Sequence, residues 1–166
     1  MKKEKKQEIR PFSLRALYLR EGKQWMSDTF DPTIPGQQLF AQVRSSDSRV
    51  EVQETVENTP NSQTIKTCRF TLNFEFRYLN KQPNAKVKKE DEEMQHLIAE
   101  ISARITVDYL IGTEETPPKE RLEQWASSNA LLHSWPYWRE FCHSTLLRMN
   151  LPVTLMPMME INQKKD

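Results

Sequence analysis

Cys142 stands beside His143, with Glu140 two residues before it, and a thiol, an imidazole and a carboxylate are the components of a nucleophilic cysteine site. The spacing works against that chemistry. Successive helix positions do not face each other, so neighbouring thiol and imidazole groups on a helix cannot share the activating hydrogen bond. Cys142 also falls on an apolar stripe, where it reads as a small core residue. A wider polar set, His133, Tyr137, Arg139 and Cys142, clusters near one helix start. It is the one group that suits an alternative reading, a small-ligand-binding protein or hydrolase using a cavity between helices and sheet. His96, His133 and His143 are too dispersed for a metal site, and no Cys-x-x-Cys occurs. The three glycines form no phosphate-cradling loop. The chain therefore reads as a non-enzyme without metal or cofactor.

Its unusual chemistry is apolar. Between residues 125 and 161 lie three of the four tryptophans and four of the seven methionines. Methionine adapts to irregular partners and tryptophan supplies large rigid contact area, a pairing suited to recognition. Trp25, Phe30, Trp135, Tyr137, Met156, Met158 and Met159 fall in expected loops, at a helix start or in the tail, so two readings stay open for them: core plugs or the lining of a groove.

The bulk numbers narrow the partners. Twenty-four basic against 23 acidic residues leave a net charge of +1, which gives no field to draw in nucleic acid or an anionic membrane. Cys68 and Cys142 are the only cysteines, which suits a reducing compartment. The charged start lacks the apolar stretch of a signal peptide, and no run of apolar residues is long enough to cross a bilayer as a helix, so a cytoplasmic location is expected. With 166 residues, one domain able to bury roughly 70% of its unfolded surface is expected.

These side chains must be positioned by an α+β fold. Residues 1–11 read as a flexible charged arm, 12–161 as the domain and 162–166 as a tail. Phe12, Leu14, Ala16 and Tyr18 suggest a first strand over 12–20. An apolar connection with Trp25, Met26, Phe30 and Ile34 comes next, long enough to lie across the fold. A second strand is expected over about 38–57, interrupted at Ser45-Ser46-Asp47-Ser48 by a bulge or turn. Alternation is cleanest in Cys68, Phe70, Leu72, Phe74, Phe76, Tyr78 and in Leu97, Ala99, Ile101, Ala103, Ile105, Val107, Tyr109, Ile111, each opposed by a polar row. That pattern predicts an antiparallel sheet covered on one face. Two C-terminal helices supply the cover. The first opens at Pro117 or Pro118 and carries Leu122 and Trp125; the second is capped by Ser134, holds Pro136 in its first turn and carries Trp138, Phe141 and Cys142. The charged stretch 80–95 reads as a solvated hairpin loop.

Leu131-Leu132-His133-Ser134-Trp135-Pro136-Tyr137-Trp138-Arg139-Glu140 resembles the helix opening of the SecB family of export chaperones, matched at Pro136, Tyr137, Arg139 and Glu140. Arg148-Met149-Asn150-Leu151-Pro152-Val153-Thr154-Leu155-Met156-Pro157 is similar to the family's Pro-containing ending, with Met149 where a glycine is usual. With the element order, the resemblance spans roughly residues 12–161. It implies a four-stranded antiparallel sheet, two helices on one face, a long crossover between strands 1 and 2, and a homotetramer built as a dimer of dimers. It further implies an ATP-independent holdase that binds unfolded or non-native polypeptides in apolar grooves, for export or for a dedicated client such as an antitoxin. Trp25, Phe30, Leu39, Trp125, Leu132, Trp135, Tyr137, Met156, Met158 and Met159 are the positions that the matching elements bring to such a groove. Many members pass clients to the SecA motor from an acidic sheet face. Here Arg69, Arg77 and Arg104 stand among Glu75, Glu100 and Asp108, which argues against SecA docking.

Overall fold

The two cleanest alternating segments form the centre of the sheet. In the computed structural model, which describes residues 12–56, 64–82, 94–112 and 116–156, β3 runs over Thr64–Leu79 and β4 over Leu97–Ile111. They pair antiparallel, with Phe70 opposite Val107 and Phe74 opposite Ala103. Cross-strand partners share a face, so the two apolar rows combine into one surface, and Cys68, Phe70, Phe74, Phe76, Ile101, Ile105, Val107 and Tyr109 are buried there. β2 (Phe40–Val56) pairs with β3, and its register slips between Ser46 and Arg49, inside the serine-rich step.

β1 (Phe12–Met26) pairs with β4, giving the order β1-β4-β3-β2. Consecutive strands β1 and β2 therefore lie at opposite edges. The connection 27–39 must cross three inter-strand gaps, about 14 Å. The strand is longer than its sequence suggested and takes in Trp25 and Met26, expected in the crossover. Its alternation is also broken twice, between Leu14 and Ala16 and between Leu19 and Glu21. Each extra residue swaps the faces of the side chains beyond it. Phe12 and Leu14 share the apolar face, as do Leu17 and Leu19, opposite Val107 and Ile105. Ala16 and Tyr18, expected with Phe12, lie on the polar face opposite Asp108 and Thr106.

That polar face is organised by charge. Arg69 and Asp108 are direct cross-strand partners, as are Arg77 and Glu100. Arg69 donates from Nε and Nη2 to the two Asp108 oxygens at 2.8 and 2.9 Å. Arg77 donates from Nε to Glu100 at 3.0 Å and also pairs with Glu75. Partial burial, together with the neighbouring Glu100 carboxylate, pushes the Glu75 carboxyl above its ordinary range. At the edge, Arg104 reaches Glu21 at 3.0 Å.

One bent helical segment covers the other face, where two separate helices were expected. α1 (Lys119–Trp125) passes through a single π turn, Ala126–Ala130, straight into α2 (Leu131–Arg148). Ser134 is no cap; it is mid-helix, and its hydroxyl donates back to the Ala130 carbonyl at 2.8 Å and the Leu131 carbonyl at 3.1 Å. Pro136 lies inside the helix on its exposed side. Lacking an N–H, it leaves the Leu132 carbonyl without its usual donor, which is tolerable where water can serve it. Trp138, fully buried, stacks on Phe74 with ring centroids 5.5 Å apart and planes 13° from parallel. Aromatic stacking of this kind adds roughly 0.5–1.5 kcal/mol to the area buried.

The end of α2 is closed by a Schellman turn. The Leu151 N–H bonds the Leu146 carbonyl and the Asn150 N–H bonds the Leu147 carbonyl, with Asn150 in the left-handed region at φ 55°. Asn150, next after Met149, thus adopts the conformation a glycine would supply. Buried Leu151 and Leu146 are brought together by this turn, and the tail is sent back across the sheet. No helix among the described residues is long and apolar enough to cross a membrane.

Candidate functional site

The crossover is held by a local network of backbone and side-chain hydrogen bonds. Its start is tied to β4 by the Ser27 N–H, which donates to the Ile98 carbonyl at 2.9 Å, and the Phe30 N–H donates to the Ser27 carbonyl. Asp31 Oδ1 accepts from the Thr33 hydroxyl at 2.7 Å and the Thr33 N–H at 2.9 Å, which holds its carboxyl below the usual range. Gln37 Nε2 closes the loop from the other side, donating to the carbonyls of Asp31 (2.6 Å) and Ile34 (3.0 Å). Gly36 supplies the positive φ, 79°, that this turn needs.

Two open hollows flank this loop. One, of about 370 Å³, lies between Phe30, Ile34, Pro35 and Leu39 of the crossover and Leu151 and Pro152 of the tail. The other, of about 380 Å³, lies between Phe30, Gln38 and Leu39 and the sheet residues Asn80 and Ile98. Phe30, Gln37 and Leu39 line both, so the two hollows adjoin across a shared wall and are together termed the crossover groove.

The tail wall is fixed to the core by two anchors. Tyr78, buried in β3, donates its hydroxyl to the Pro152 carbonyl at 2.7 Å and also bonds the Thr154 hydroxyl. His143 Nε2 lies 3.2 Å from the Thr154 carbonyl. Burial raises the Tyr78 phenol, partly offset by Thr154, so it stays a neutral donor.

The residues expected to line a groove separate into groups. Phe30 and Leu39 meet in the groove described. Trp25, 50% exposed, is opposite Glu100 on the polar sheet face, where it lines a different hollow of about 400 Å³ with Gly22, Lys23 and Gln24. Trp125 packs on Phe12 at 4.7 Å and edge-on to Tyr109, so it covers the open end of the core. Trp135 is buried at 7% exposure near Phe74, and Met156 is buried at 2%. Leu132 and Tyr137 are exposed on the helix surface, and Met158 and Met159 lie outside the described residues. Ile34, Pro35, Ile98, Leu151 and Pro152 were not singled out as groove residues, because isolated apolar residues in a loop or at a strand end carry no periodic signal.

The polar set near the helix start does not converge. Cys142 is fully buried while Tyr137 is 57% exposed, since five helical steps place them far apart around the axis. Burial pushes the Cys142 thiol up to about 12 and the Cys68 thiol to about 11, with Asp108 adding to the latter. Such thiols are not nucleophiles at neutral pH. His133 Nδ1 is 2.6 Å from the buried Tyr109 hydroxyl, a bond that joins helix to sheet. Among the described residues, no group of three or more His, Cys, Asp or Glu side chains is placed to hold a metal ion.

No family model and no curated protein matches the chain. Among solved structures it is similar to the Mycobacterium tuberculosis Rv1957 SecB-like chaperone, determined in complex with a ChAD peptide from the Rv1956 HigA1 antitoxin. The TM-score is 0.63 at 15% sequence identity, covering 90% of this chain and 91% of that one. The two share a fold.

Proposed function

We propose that this protein is an ATP-independent holdase, a chaperone that binds unfolded or non-native polypeptide along the crossover groove and keeps it from aggregating. The observation that carries this reading is the pair of hollows beside the crossover, where exposed Ile34 and half-buried Phe30 and Leu39 line open space next to a hydrogen-bonded loop, on a fold shared with a SecB-like chaperone. Each large apolar client side chain buried there is worth about 1.5–3 kcal/mol, so several such contacts give useful affinity without a defined sequence.

Further open apolar surface fits an assembly. Leu14 and Leu19, on the helix side of β1, are about half exposed, and Leu147 is exposed near the end of α2. A homotetramer built as a dimer of dimers would cover them. Exposed Trp25, Leu132 and Tyr137, with Met158 and Met159, belong to the same proposal as groove extensions or subunit contacts, whereas Trp125, Trp135 and Met156 are taken up by the core. A dedicated cytoplasmic client, such as an antitoxin, fits better than export through SecA. The sheet face meets its acids with arginines, so it offers a cationic motor domain little net attraction.

Purified protein is expected to suppress aggregation of a chemically denatured client at near-stoichiometric ratio without nucleotide. Failure with unrelated clients and with a candidate antitoxin alike would remove the proposal.

A further inference from the structure

Every described side chain lining the two hollows is uncharged, although charged residues make up 28% of the chain. Amides share the lining with the apolar side chains: Gln37 is spent on the loop carbonyls of Asp31 and Ile34, Asn80 bonds His96 at 3.1 Å, and Gln38 and Asn150 are the others. The nearest acids of the crossover, Asp28 and Asp31, line neither hollow, and Asp31 is turned into its own loop by Thr33. The hollow beside Trp25 is different, being lined by both Lys23 and Glu100.

Resting on the reading that this groove holds polypeptide, we propose that it selects client segments by excluding charge of either sign. Its occupant is a neutral extended stretch with two large apolar side chains, one in each hollow, and a small or polar uncharged residue over the Phe30–Leu39 wall. A charged side chain laid against that wall gives up part of its hydration and meets no counter-charge on the described lining, a cost that does not depend on its sign. A groove reading the field of Asp28 and Asp31 would instead favour lysine.

Binding of the full-length protein to a synthetic Ser/Gly/Thr peptide bearing two leucines tests this, against the same peptide with Lys or Glu midway between them. The expected result is a loss of affinity of about tenfold for both charged peptides, equal within about twofold. Ile34→Lys and Gln38→Lys, one change in each hollow at exposed positions, are expected to restore the Glu peptide selectively. Tighter binding of the Lys peptide to the unaltered protein, charged peptides that bind like the neutral one, or no sign preference in either variant overturns charge exclusion while leaving the holdase reading intact. If the neutral peptide fails to bind a protein that suppresses aggregation, charge exclusion alone falls. If aggregation suppression also fails, both fall.

Discussion

Phe141 of α2 seats over Gly22 of β1: a β-carbon at residue 22 would stand 2.6 Å from Cζ of the ring. This notch is the point where the helical cover meets the outer edge of the sheet. Gly22→Ala forces the ring to move and is expected to destabilise the fold by about 1–3 kcal/mol, the usual range for overpacking. Denaturant unfolding measures it. Phe141→Leu in the same background should recover some of the loss, because it removes the atoms that clash.

Tyr78 ties the tail to the core through its hydroxyl. Tyr78→Phe keeps the ring and leaves the Pro152 carbonyl and Thr154 hydroxyl without this partner, at an expected cost of about 1–3 kcal/mol. Amide exchange read by mass spectrometry should quicken over 151–156 while β3 and β4 keep their protection.

The Arg69–Asp108 pair is bidentate and largely sheltered, and the Tyr18 hydroxyl lies 3.4 Å from the same carboxylate. Asp108→Asn is expected to cost about 1.5–3 kcal/mol, the worth of hydrogen bonds to a charged group. A double-mutant cycle with Arg69→Met should show that the two losses do not add.

Both thiols are buried with raised pKa values. In the native protein neither should react with an aromatic disulfide reagent at pH 8, and both should react on unfolding. The same shifts set a pH dependence. The unfolded thiols lose their protons near pH 8.5 while the folded ones hold them to about 11 and 12. The folded state therefore binds more protons in that window, and stability should fall as pH rises above about 8.5. Replacing both cysteines with Ala should flatten that slope.

The legible regions of the fold were those where one face had to be dry. The β3 and β4 rows could be read because every second side chain is apolar from Cys68 to Tyr78 and from Leu97 to Ile111, and the resulting sheet required a cover. β1 resisted, since its two bulges reset the alternation and carried Ala16 and Tyr18 to the polar face. The helical cover was legible in its stripe of Trp138, Phe141 and Cys142, but Ser134 and Pro136 imitate a helix start, and only packing against the sheet keeps the helix continuous through them. At the site, Phe30 and Leu39 were legible from the element order. Ile34, Ile98 and Leu151 were not, because the groove forms where the crossover, a strand end and the tail come together in space.

The holdase proposal requires that the crossover groove hold non-native polypeptide. A photo-crosslinking residue at Ile34, exposed on the groove wall, with a second at Arg104 on the polar sheet face as control, settles this in the purified full-length protein presented with denatured client. Strong crosslinking at 34 and little at 104 is the predicted result; a client that is held without crosslinking at 34 would contradict it.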